Sequence, residues 1–270
     1  MKKNIILVFM LLTAMGLSAQ QMYVGFSAGY HIGAAKTVLG KEIAADGTQT
    51  NIYGTNGKGI LPELRFGYMF DDNWGLEFGL SYLLGSKQLV DADYSFNAPI
   101  TAYSYESYSK STMLRFAPQL VFKTEMGVYS RIGLYIPLGG KTINTQTEDM
   151  TSGGNQNIEE KEFIYKGRFA VGFTGALGYS FEMSDQIHLF GELQYISLRI
   201  YVNSREYNSY TLNGADQMGT LTNTIQKEIE YVDELPANAN TDVSKPMQVL
   251  TSATPYHSFG INIGVKYFLN

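Results

Sequence analysis

From Val24 onward, apolar residues alternate with small or polar ones. Val24, Phe26, Ala28, Tyr30 and Ile32 fall on one side, and Gly25, Ser27, Gly29, His31 and Gly33 on the other. A period of two is the signature of a strand with one greasy face. It returns in Ile60, Pro62, Leu64, Phe66, Tyr68 and Phe70 against Glu63, Arg65, Gly67 and Met69. It returns again in Trp74, Leu76, Phe78, Leu80, Tyr82 and Leu84 against Gly75, Glu77, Gly79 and Ser81. Further strands are predicted at 112–122, 128–138, 167–181, 187–200 and 256–268, which makes eight. In 187–200 the apolar positions change face after Tyr195, and a bulge there would reconcile them.

The strands are about 10–13 residues long, against a usual five or six. Charges sit in the middle of the non-greasy face, where a lumen can hold them. Three connections are short and polar, around Asp71-Asp72-Asn73, Lys123-Thr124-Glu125 and Met183-Ser184-Asp185, while the others run through 35–58, 86–110, 140–166 and 201–255. Short turns at one end and long loops at the other are how a membrane barrel is threaded. The predicted fold is all-β: an eight-stranded antiparallel up-and-down transmembrane β-barrel with short periplasmic turns and long outer loops.

Composition narrows the picture further. With 20 Tyr, 15 Phe, 28 Gly and no Cys, disulfides, thiolate metal sites, Cys nucleophiles and a lipidated N-terminal cysteine are excluded. The modest net charge of -5 gives no reason to expect a nucleic-acid partner. Lys2 and Lys3 precede an apolar run and then Ser18-Ala19-Gln20, the three regions of a secretory signal peptide over 1–19 with cleavage after Ala19. Residues 20–270 then form one barrel domain.

With these features the chain resembles the small outer-membrane β-barrel family of Gram-negative bacteria. The architecture is OmpA/OmpX-like and, more narrowly, that of the barrel domains called PorT-like. The resemblance is carried by the signal peptide, by strands such as Tyr23 to Tyr30, by Leu189-Phe190-Gly191-Glu192-Leu193-Gln194-Tyr195 and by the closing strand Phe259 to Phe268. It implies a cell outer-membrane location, with outer-membrane lipid and the barrel-insertion machinery as partners and no cofactor. Many such barrels end on an aromatic residue; here the chain ends at Asn270 with Phe268 two residues earlier.

On this threading the four long connections emerge outside the cell and are where an extracellular ligand or surface partner would bind. The second carries Tyr94, Tyr103, Tyr105 and Tyr108 among serines, a mix of rigid amphipathic contacts and adaptable hydrogen bonding. The acidic residues of the third and fourth match no Ca²⁺-loop spacing and read as a solvated surface. The fourth is long enough to fold over the barrel mouth. Gly54-Thr55-Asn56-Gly57-Lys58-Gly59 lacks the Ser or Thr and the helix of a phosphate loop and reads as a turn.

His31, Glu63 and Ser258 are predicted roughly level inside the lumen, a combination that serves hydrolysis but also a plain hydrogen-bond network. Barrel shear and a filled lumen favour the network. The three histidines have no metal-ligand spacing, so neither a catalytic nor a metal site is assigned. The inward charges Glu63, Arg65, Glu77, Arg115, Arg131 and Glu192 fall in one belt, with Arg65 and Glu77 diagonal and Arg131 facing Glu192. A charge in a narrow tube is costly unless paired, so the belt is expected to close the lumen. The expectation is a non-enzymatic barrel with a structural or surface-binding role, the alternatives being a narrow channel for small solutes and, third, an outer-membrane hydrolase.

Overall fold

The computed structural model describes residues 21–34, 36–94 and 102–269; the expected signal peptide and Asn270 lie outside the described residues. Eight strands form a closed ring. They are β1 (Gln21–Gly33), β2 (Gly59–Met69), β3 (Trp74–Gly85), β4 (Ala102–Lys123), β5 (Val128–Ser152), β6 (Gly172–Glu182), β7 (Ile187–Ser197) and β8 (Ser258–Leu269). Each pairs antiparallel with the next, and β8 pairs with β1 from Met22↔Leu269 to Gly33↔Ser258. Every ring strand has a hydrogen-bonded neighbour on both sides, which satisfies most backbone groups of the ring and leaves the side chains to decide which face meets which medium.

The alternation read from the sequence sorts those faces. On β3, Trp74, Leu76, Phe78, Leu80, Tyr82 and Leu84 point outward and are exposed, while the residues between them are buried. Outward apolar residues continue round the ring, with Ile132, Phe173, Leu177, Ile261 and Ile263 each more than half exposed. A soluble protein rarely shows so wide an apolar band.

The strand map differs from the sequence reading in three places. First, much of what reads as loop is strand. The ladder between β4 and β5 runs on from the ring to Ala102↔Thr151, and Asn155–Gly167 pairs with β5 on one side and with Arg199–Leu212 on the other. These segments, rich in Thr, Tyr and Ser, have strand propensity but no greasy face, so alternation of polarity does not reveal them. Among the described residues seventeen strands are present, nine of them outside the ring.

Second, the connection 201–255 contains strands that join the sheet: Glu228–Val232 pairs antiparallel with Arg199–Leu212 and parallel with Met247–Leu250. The first connection likewise folds into a hairpin of Val38–Ile43 and Gln49–Tyr53.

Third, there is no bulge at Tyr195. β7 keeps unbroken register with both neighbours, and Ile196, Leu198 and Ile200 lie buried on the same inward face as Glu192 and Gln194. The lumen is apolar at that height, so an apolar residue there points in.

The three short turns share one end of the ring with Gln21 and Leu269, the first residue of β1 and the last of β8. At the first turn the Asp71 carboxylate accepts hydrogen bonds from the backbone N–H groups of Asn73 and Trp74 at 2.8 and 2.7 Å, which holds a tight reversal without glycine.

Candidate functional site

The inward face of the ring carries a belt of paired charges. Arg65, on β2, forks onto Glu192 of β7 through Nη1 and Nη2 at 3.1 and 2.6 Å, and Nη2 also reaches Glu63 at 3.1 Å and the Ser27 hydroxyl at 3.0 Å. Arg131, on β5, donates to Glu77 at 2.5 Å and to Glu192 at 2.6 Å, with Glu63 3.6 Å away. Arg65 and Glu77, diagonal across β2 and β3, stand 3.9 Å apart. All of these residues are buried. Two-pronged contacts between guanidinium and carboxylate are the strongest form such pairs take.

Neutral donors complete the carboxylates. The Tyr23 hydroxyl donates to Glu77 at 2.6 Å, the Tyr129 hydroxyl to Glu192 at 2.7 Å, and the Asn262 amide to Glu192 at 2.9 Å. The tyrosines lie over glycines. A Cβ on Gly67 would fall 2.0 Å from the Tyr23 ring, and one on Gly178 would fall 2.6 Å from the Tyr129 ring. Both positions therefore need the missing side chain.

Lys266 belongs to the belt, and the sequence reading passed it over. Its ammonium lies 3.8 Å from Glu77 and over the rings of Tyr23 and Tyr129 at 4.6 and 4.5 Å. The signal was available, because Lys266 shares the inward parity of Asn262 and Gly264. With Lys266 the belt holds Arg65, Arg131 and Lys266 against Glu63, Glu77 and Glu192, so its formal charges cancel.

Arg115 does not join them. It is fully buried but lies over the Tyr135 ring at 5.4 Å, and its guanidinium makes no hydrogen bond or ion pair among the described residues. It pairs in register with Ser81 and Pro137, farther from the short turns than the belt. Around that height the lumen is filled by Leu61, Leu83, Met113, Tyr135, Ile196 and Leu198, and the Tyr135 hydroxyl is hydrogen-bonded to Ser81 at 2.9 Å.

His31, Glu63 and Ser258 are not brought together. β1 and β2 are offset so that Glu63 is level with Ser27, and His31 with Gly59. The His31 ring meets Asn262 at 3.1 Å and Ser258 at 3.4 Å, while Glu63 is bound to Arg65. The offset is the barrel shear that end-to-end alignment of strands ignores.

The four tyrosines of the second connection do not form one patch either. Tyr103, Tyr105 and Tyr108 lie on β4, where alternation puts Tyr103 and Tyr105 on one face and Tyr108 on the other. Tyr94 and Tyr108 both donate to Glu106, at 2.7 and 3.1 Å. The Tyr94 phenol is pushed up to about 12, first by that hydrogen bond and then by burial.

The turn at Gly54 to Gly59 is seated in the barrel mouth. Asn56 accepts a hydrogen bond from Ser109 at 2.7 Å and its backbone N–H donates to the Pro255 carbonyl at 3.0 Å. A cavity of about 630 Å³ lies beyond the apolar layer at this end, bordered by Asn56, Met113, Thr142 and Tyr256. At the short-turn end a second cavity of about 300 Å³ is bordered by Tyr23, Tyr129, Lys266 and Phe268. Neither is bordered by Arg65, Glu77 or Arg131.

Residues 5–218 match the family model described as "Outer membrane protein beta-barrel domain". The chain belongs to the outer-membrane β-barrel proteins. It is accordingly a cell outer-membrane protein. Solved structures similar to it include OprG from Pseudomonas aeruginosa, at 13% identity over 95% of this chain and 99% of that one, TM-score 0.43. Neisserial surface protein A is similar at 10% identity over 91% and 96%, TM-score 0.32. The attachment invasion locus protein Ail of Yersinia pestis is similar at 10% over 93% and 97%, TM-score 0.29. No curated protein matches the chain.

Proposed function

We propose that the protein is an eight-stranded transmembrane barrel with a closed lumen, its short turns periplasmic and its strand extensions outside the cell, and that it acts through that outer part by binding a surface ligand or partner. The observation that carries this reading is the belt: three cations and three carboxylates, all buried, each carboxylate held by at least one arginine. An ion crossing the lumen would have to break these contacts in a dry environment, where uncompensated charge is costly. The apolar layer around Leu83, Tyr135 and Ile196 is a second barrier, and the separate cavities above and below are consistent with a seal between them.

The reading is non-enzymatic, because His31 is partnered by Asn262 and Ser258 rather than by a carboxylate. Its partners are outer-membrane lipid around the ring, the insertion machinery that places the barrel, and the surface ligand.

Planar-bilayer conductance tests the seal. Reconstituted wild-type protein is expected to be electrically silent, and to stay silent when 203–250 is replaced by a short linker. Conductance that appears on that deletion would make the outer sheet a gate and the protein a channel.

A further inference from the structure

The ring has an interrupted seam. β5 pairs with β6 from Val128↔Tyr179 to Tyr135↔Gly172. Farther out it pairs with Asn155–Gly167, from Thr142↔Tyr165 to Ser152↔Asn155. Counting on from the first ladder reaches the second with no residue skipped, so the two are one long hairpin in a single register. Between them 136–141 and 166–171 stand opposite each other without pairing.

The sequence builds this gap. Pro137 has no N–H to give a ladder. Pairing of β5 with β4 slips between Leu114 and Arg115, so that Leu114 meets Gly139 while Arg115 meets Pro137, and a bulge of this kind bends the strand. On the other rim the Arg168 N–H donates to the Tyr201 carbonyl at 2.8 Å, which draws the chain toward Arg199–Leu212 and away from β5. Gly139 is in register with outward-facing Leu114, and a Cβ on it would meet nothing within 4 Å, so the outer side of this rim is uncovered.

The cavity of about 630 Å³ at the barrel mouth is bordered by both rims of this gap, Pro137 and Leu138 on one and Arg168 and Phe169 on the other, as well as by inward Met113 and Tyr256. Its size is that of a small-molecule site. Leu138 is 56% and Phe169 81% exposed, and they continue the apolar outer band at its upper edge. Lys141 also borders the cavity, and no carboxylate lies within ion-pairing distance of it among the described residues, whereas Lys166 and Arg168 are held by Glu206 and Asp233.

We propose that the gap is a lateral doorway joining the mouth cavity to the outer leaflet, and that the cavity binds a single-chain amphiphile with a carboxylate head, its alkyl chain along Met113, Pro137 and Tyr256 and its head at Lys141. An alkyl chain that enters from water or from lipid leaves by the other side without meeting the charge belt. The proposal requires membrane placement of the apolar band but not a sealed lumen.

Equilibrium binding of radiolabelled dodecanoate to full-length protein in phosphatidylcholine nanodiscs, with empty nanodiscs as the partition control, tests it. Wild type is expected to show saturable one-site binding. Gly139→Trp sets an indole over the outer side of the gap and is expected to abolish it. Leu138→Cys with Phe169→Cys, in a chain that has no other cysteine, abolishes it when cross-linked by a disulfide or a short bismaleimide and restores it when the disulfide is reduced. Lys141→Glu weakens dodecanoate severalfold and leaves dodecanol unchanged, which separates a carboxylate site from a slot for any acyl chain. Circular dichroism confirms that each variant retains its strands. Wild type with no saturable binding, or binding that both closures leave intact, overturns the proposal; equal loss of dodecanoate and dodecanol in Lys141→Glu overturns the carboxylate assignment.

Discussion

Arg65 and Glu192, carried by strands that are not neighbours in the ring, meet across the lumen through two hydrogen bonds of 3.1 and 2.6 Å. Glu192 also accepts from Arg131, Tyr129 and Asn262, so one carboxylate ties together four strands, β2, β5, β7 and β8. Removing it leaves two buried guanidiniums short of a partner.

Glu192→Ala is therefore expected to destabilise the folded barrel by about 3–5 kcal/mol, the usual cost of breaking a buried pair from one side. Lys161→Ala, which removes a half-exposed pair with Glu159 on the strand extension, should cost less than about 1 kcal/mol. Urea unfolding in lipid vesicles measures both. Similar costs for the two substitutions would mean that the belt is hydrated.

The orientation of the barrel is tested with single cysteines. Substitutions at Asp46, Asn155 and Lys245, all exposed on the strand-extension side, should react with a membrane-impermeant thiol reagent on whole cells, and substitutions at Asp72 and Ser184 in the short turns should not. Asn56 is unsuitable despite its place in a sequence-predicted loop, because it is only 8% exposed. Labelling confined to the short turns would invert the barrel.

The strands of the ring were legible because one face meets lipid and the other does not, so polarity alternates with the pleat. That signal fails wherever both faces meet the same medium. Tyr103 to Ser109 and Thr142 to Thr147 are strands between two polar faces, and only their Thr and Tyr content marks them. It fails in the opposite sense at Ile196, Leu198 and Ile200, whose inward faces are apolar, and there the parity of the preceding Glu192 and Gln194 was the safer guide. The pairing of Arg65, Glu77, Arg131 and Glu192 follows from inward parity and height alone. Arg115 and the His31–Glu63–Ser258 grouping went astray because their heights depend on the offset between strands, which no single strand encodes.

Tyr94 offers a pH measurement away from the membrane. Its phenol is pushed up to about 12, chiefly because the neutral O–H donates to Glu106. A raised value in the folded state means that the hydrogen bond's stabilisation is complete below the ordinary tyrosine value of about 10 and is lost as pH rises through the folded value. In Glu106→Gln the phenol should titrate closer to its ordinary value. Carbon-13 shifts of labelled tyrosine, assigned with Tyr94→Phe, follow this directly; an unmoved titration would mean that burial, not the carboxylate, sets it.

The proposed seal depends on Arg65 and Arg131 being paired and dry. Nitrogen-15 spectra of arginine-labelled protein in lipid at neutral pH report this most directly, because guanidinium protons exchange with water quickly unless they are bonded and shielded. The pairing predicts resolved, slowly exchanging Nη–H signals that Arg65→Lys and Arg131→Lys identify, and that persist when 203–250 is removed. Arginine side-chain signals that all exchange at the rate of a solvated guanidinium would show water in the belt and contradict the closed lumen.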